Sequence, residues 1–109
     1  MSWSRSLFVA QRYSAMLLGP LVIIHLVLIM IAVRNGLTAD EILSRTRGSI
    51  LWFGYYLTFV IAVTVHAPIG VRNVLNEWTR LSTRWVNRFC VVLALLLFLT
   101  GLRAVVAVT

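Results

Sequence analysis

Hydrophobic and polar positions alternate along this chain in long blocks rather than in short periods. Three apolar runs cover residues 15–33, 49–71 and 89–108, to within a few positions at each end, and polar stretches separate them. A helix needs about 20 residues to cross the hydrocarbon core of a bilayer, and each run is of that size. The pattern predicts an all-α protein, an integral membrane bundle of three transmembrane helices in one domain spanning residues 1–109. The first run is not expected to be a cleaved signal peptide. Its apolar part is too long, and no small-residue cleavage pattern precedes Asn35-Gly36.

The polar stretches carry their own signals. Arg34-Asn35-Gly36 reads as a turn, and Thr38 or Asp40 as the N-cap of a short interfacial helix before Arg45 and Arg47. The second linker, 72–88, holds Arg72, Arg80, Arg84 and Arg88 beside Trp78 and Trp85. Arginine and tryptophan together mark the membrane–water interface. Gly19-Pro20 and Pro68 are expected to loosen or kink their helices, because proline removes a backbone hydrogen bond.

Composition narrows the class. Of 109 residues 61% are hydrophobic and the mean hydropathy is +0.94, more apolar surface than a small soluble domain can hide. The net charge of +7 comes from arginines, with no lysine, against Asp40, Glu41 and Glu77. These arginines border the apolar runs, so they anchor helices at lipid headgroups and no nucleic-acid partner is expected. Six arginines fall in the N-terminal segment and second linker, and three in the first linker. The positive-inside rule then puts the N-terminus and second linker in the cytoplasm and the C-terminus outside, and the expected location is the inner (cytoplasmic) membrane, as a multi-pass protein. Arg103 lies within the third span and is expected to snorkel outward. The single cysteine, Cys90, excludes an internal disulfide or a multi-cysteine metal site within this chain and reads as a small apolar packing residue.

The chemistry concentrates in two histidines. An ionisable residue inside an apolar span is a functional candidate by default. His66 stands near the end of the second span, and Gly70 sits one turn further on the same face. With no side chain, Gly70 lets a flat group approach the backbone beside the imidazole. A haem with His66 as axial metal ligand is the sharpest reading. A histidine that bridges helices by a hydrogen bond is the plain alternative. The planar guanidinium of arginine can grip a haem propionate or a lipid phosphate at two points. His25 lies mid-span in the first helix, as a possible ligand of a second haem or a packing hydrogen-bond donor. By helical rise His66 is roughly 6 Å from the inner end of its span and His25 roughly 15 Å from its own. A depth difference of roughly 9 Å argues against both binding one iron. A haem on His66 is then expected to draw its second ligand from another chain.

These residues resemble the small membrane-anchor, cytochrome b subunits of succinate dehydrogenase and fumarate reductase. The likeness rests on His66, Gly70, Arg72, Glu77 and Trp78 in the stretch HAPIGVRNVLNEW, on Gln11-Arg12-Tyr13-Ser14-Ala15 at the entry to the first helix, and on three helices in just over a hundred residues. It covers nearly the whole chain. The resemblance implies haem b as cofactor with His66 as axial ligand and Gly70 and Arg72 as part of its binding segment. It implies Arg12 at a haem propionate or in a quinone pocket, Ser14 as a pocket residue, and Trp78 near the quinone headgroup. The chain departs from the pattern where the family's quinone-binding member often has tyrosine at the place of Trp78. It departs again where one anchor has histidine at the place of Gln11 and serine at that of Phe8.

The implied function is a membrane anchor that passes electrons between an iron–sulfur subunit and the quinone pool. A flavoprotein subunit and a second membrane-anchor chain or copy would complete the assembly, with membrane lipid around it. The chain is not expected to catalyse a reaction alone. The rival is a non-redox structural or transport subunit whose histidines only bridge helices. No acidic residue lies within the spans, which counts against a proton-coupled transporter.

Overall fold

Three long helices and one short one make up the computed structural model, which describes residues 2–109, with side chains from Arg5 onward. They are α1 (Ser2–Asn35), α2 (Ala39–Thr46), α3 (Ile50–Trp78) and α4 (Thr83–Val108). There is no strand among the described residues. α1, α3 and α4 are long and apolar enough to cross a membrane, so the all-α, three-span reading stands.

The helices outrun the apolar runs. α1 starts at Ser2, α3 continues to Trp78 and α4 starts at Thr83, so most of the expected linker 72–88 is helical. Arginine, asparagine and glutamate end the apolar character of a segment without ending its helix. The turn that remains is held by caps. The Thr79 N–H donates to Leu75 O at 3.1 Å, and the Ser82 hydroxyl accepts from the Trp85 N–H at 3.5 Å. Pro20 and Pro68 lie inside continuous helices.

At the opposite end, glycines stop the helices. Gly36 follows α1 with φ 123° and Gly48 follows α2 with φ 74°, a backbone region that favours glycine. Thr38 caps α2, its side chain accepting from the Glu41 N–H at 3.2 Å, and Asp40 lies in the first turn. α2 is tied to the end of α4, where Thr46 Oγ1 donates to Val108 O and Gly48 N–H to Thr109 O at 3.0 Å. The α1–α2 turn and the C-terminus therefore share one end of the bundle. The N-terminus and the α3–α4 turn share the other.

α3 is the central helix, packing on α4 and on α1. Tyr55 Oη donates to Leu21 O at 2.7 Å across α3–α1. Among the described residues few apolar side chains are buried, chiefly Leu18, Leu21, Ala62, Val86, Cys90 and Val105, with Pro68. Most large apolar side chains point outward, as expected of faces meant for lipid or another membrane chain. The α1 helix, at 1.5 Å rise per residue, runs about 50 Å, in keeping with the 48 Å long axis of the molecule.

Small residues let α3 and α4 approach. A Cβ on Gly101 would lie 2.7 Å from Val60 Cγ1, and a β-branched valine has little rotamer freedom to retreat. Gly101→Ala is therefore expected to destabilise the bundle by about 1–3 kcal/mol. Adding Val60→Ala should recover part of that loss. Thermal melts of the detergent-solubilised single and double variants check this.

Candidate functional site

Ser14, on α1, and His66, on α3, meet toward the end that holds the N-terminus. Ser14 Oγ lies 3.3 Å from His66 Nδ1 and donates to Gln11 O at 3.0 Å. Ser14 is buried. One turn nearer that end, α1 contributes Leu7, Phe8, Gln11, Arg12 and Ala15 to a cavity of about 480 Å3, which α3 completes with Arg72, Asn73 and Glu77. Residues 7, 8, 11, 12 and 15 recur at helical spacing, so one face of α1 lines the cavity. Two guanidinium groups and one carboxylate converge on it. Arg72 is steadied from α4, its Nε donating to Asn87 Oδ1 at 2.9 Å. Gln11 Oε1 is buried without a hydrogen-bond partner. An unpaired buried acceptor is costly unless a ligand supplies a donor.

His66 also lines a shallow groove of about 460 Å3 with Ala67, Gly70, Val71, Val74 and Leu75. All six residues belong to α3, so the groove opens on a face the rest of the chain does not cover. Ala67 and Gly70 keep its floor low beside the imidazole. On the α1 side a Cβ at Gly70 would lie 3.4 Å from Gln11 Nε2, an ordinary van der Waals contact, so only the groove uses its lack of a side chain.

His25 lies elsewhere. It lines a separate, largely apolar cavity of about 340 Å3 with Thr46, Tyr56, Phe59, Gly101 and Val105 among others. Its ring meets Phe59 edge-on at 5.3 Å and Tyr56 at 6.4 Å between centroids. His25 Nδ1 is buried without a hydrogen-bond partner. Ser14, beside His66, and His25 are eleven residues apart on α1, or about 16 Å along its axis. On α3, His66 and Phe59 are seven residues apart, or about 10 Å.

The structure thus brings His66, Ser14, Gly70, Arg12 and Arg72 to one end of the α1–α3 pair and leaves His25 nearer the other. Trp78 closes α3 outside the cavity lining and is 81% exposed. Gln11, Asn73 and Glu77 join the cavity without having been singled out from the sequence as site residues. The register of α1, where Gln11 precedes Arg12 and sits one turn before Ala15, was the available signal. Its pairing with the 72–77 turn of α3 was not.

A family model described as the succinate dehydrogenase/fumarate reductase transmembrane subunit matches residues 3–104. The chain belongs to this family. It is a multi-pass membrane subunit of a multi-subunit complex of the succinate dehydrogenase/fumarate reductase kind and works with partner subunits. No curated protein and no solved structure matches it. The polar end of α1 and α3 gathers the arginines and the glutamate of the cavity beside His66.

Gly70→Ala separates close packing from ligand clearance. Glycine inside a helix is about 1 kcal/mol less favourable than alanine, and the nearest neighbour of the added Cβ, the end of a flexible glutamine, would be in ordinary contact. The variant is expected to melt at or slightly above the wild-type temperature in detergent. A clear loss of stability would mean that the α1–α3 contact tolerates no Cβ.

Proposed function

We propose that this chain is the haem b-binding membrane anchor of a succinate dehydrogenase/fumarate reductase-type complex, carrying electrons between an iron–sulfur subunit and the quinone pool. A flavoprotein subunit in the cytoplasm oxidises succinate or a related dicarboxylate. A second membrane-anchor chain, or a second copy, packs on the α3 face. The reading sets the N-terminus and the α3–α4 turn on the cytoplasmic side of the inner membrane.

The observation that carries the proposal is the position of His66. It lines an outward groove floored by Ala67 and Gly70, next to a cavity that holds Arg12 and Arg72. These residues suit haem b. His66 offers an imidazole nitrogen, the low floor leaves room for a flat macrocycle, and the guanidinium groups can pair with propionates. The open face leaves the second axial ligand to the neighbouring chain. Haem b supplies a one-electron carrier whose potential is tuned by ligand, hydrogen bonding and burial. The cavity that includes Gln11, Arg12, Asn73 and Glu77 suits a quinone headgroup, since it presents charged donors and a carboxylate at the depth of the interface. Ser14 and Trp78 do not line it.

A second reading has its own observation. Ser14 and His66 join α1 to α3, as a helix-bridging histidine in a non-redox subunit would. The two readings part in a reduced-minus-oxidised optical spectrum of the purified complex, where a b-type α-band is expected. His66→Ala should abolish that haem, and full occupancy in the variant would refute the assignment. We extend the proposal to a second haem at His25, which lines an apolar cavity of its own; the alternative is a packing histidine. His25→Leu should then lower the haem-to-protein ratio from two to one while the His66 haem remains. An unchanged ratio leaves His25 as packing, and loss of a sole haem would place both histidines on one iron.

Arg12→Lys keeps the interfacial charge but loses the planar fork. In an assembled complex it is expected to lower quinone reductase activity or shift the haem midpoint. Unchanged quinone kinetics and potential would reduce Arg12 to a headgroup anchor.

A further inference from the structure

A buried serine placed between an imidazole nitrogen and a backbone carbonyl decides which way the proton on that imidazole faces. Ser14 has one hydroxyl proton to give. Its Oγ donates to Gln11 O at 3.0 Å, which leaves the oxygen's lone pairs toward His66 Nδ1 at 3.3 Å. An oxygen in that state can only accept from Nδ1–H. Ser14 is 7% exposed, so water does not readily replace it.

We infer that Ser14 is a positioning residue that holds His66 as the Nδ1–H tautomer and so presents an unprotonated Nε2 to the α3 groove. The chain runs Nδ1–H to Oγ–H to the carbonyl of Gln11, and each bond polarises the next. A metal-bound histidine commonly donates its other N–H in this way, which sets tautomer and ring orientation and raises its basicity as a ligand. The reverse arrangement, with Ser14 donating to Nδ1, would put the proton on Nε2 and leave no lone pair in the groove. Ser14 thus acts through His66 and touches neither a cofactor nor a substrate. This inference rests on the haem reading only for its consequence at the metal, since the tautomer is a property of the chain itself.

The test uses the full complex carrying Ser14→Ala or Ser14→Thr. Threonine keeps the hydroxyl, so Ser14→Thr is expected to match wild type in haem content and midpoint potential. Alanine removes the acceptor and weakens electron donation from the imidazole. Ser14→Ala should therefore shift the His66 haem to higher potential, with an altered low-spin electron paramagnetic resonance signal. Wild-type potential and signal in a haem-replete Ser14→Ala complex would overturn the inference. Equal haem loss in both variants would also overturn it, because a packing role needs no hydroxyl. Nitrogen-15 NMR of histidine-labelled full-length chain, prepared without haem, separates this inference from the haem reading. The wild-type His66 is expected as the Nδ1–H form and Ser14→Ala as a mixture. An Nε2–H form in wild type refutes the role of Ser14 whatever binds. A haem-free native complex with Nδ1–H intact would refute the haem reading alone.

Discussion

Hydrocarbon offers a peptide group no hydrogen-bond partner, so every backbone N–H and C=O inside the bilayer must be satisfied by the segment itself. That constraint makes α1, α3 and α4 helices wherever the chain is apolar, and it tolerates Pro20 and Pro68 inside them. It also explains why so little of the chain is buried. A soluble protein folds by hiding apolar side chains, whereas this one displays them to lipid or to a neighbouring membrane chain. What holds the helices together is then small and local. Gly101 allows α4 to approach Val60 closely, Tyr55 donates to the α1 backbone, and the α2 loop is tied to the C-terminus.

The same economy shapes the functional end. With so few buried apolar residues among those described, the polar groups work at surfaces between helices. Arg72 is held by Asn87 of α4 and looks into a cavity walled by α1, so three helices serve one guanidinium. His66 stands at the boundary between the α1 contact, through Ser14, and the uncovered α3 groove. On the proposed reading another chain covers the groove and completes the site. The His25 region differs in kind, with an aromatic and apolar lining and far less charge.

Much of the fold was legible from the chain because membrane insertion is decided by summed hydrophobicity, which is a one-dimensional property. The three spans, the Gly36 turn and the α2 helix with Thr38 at its cap follow from that logic and from local capping chemistry. Helix ends were less legible. The stretch Arg72 to Trp78 loses hydrophobicity but contains no proline or glycine to stop the helix, so the helix continues past the point where the apolar pattern stops. In the site, His66 with Gly70 and Arg72 at helical spacing could be read along one strand of sequence. The involvement of Gln11, Asn73 and Glu77 could not, because it depends on which face of α1 meets which turn of α3.

The sequence alone determined the number of spans, the composition of each face and the family, since these depend on local hydrophobicity and on motif spacing within single helices. Tertiary structure alone decided that Ser14, 52 positions before His66, shares a hydrogen bond with it, and that Arg12 and Arg72 converge while His25 lies well along α1. The physical reason is packing. Helix register across an interface is set by a few contacts, here Ser14 with His66, Tyr55 with Leu21 and Gly101 against Val60, whose outcome no single segment encodes.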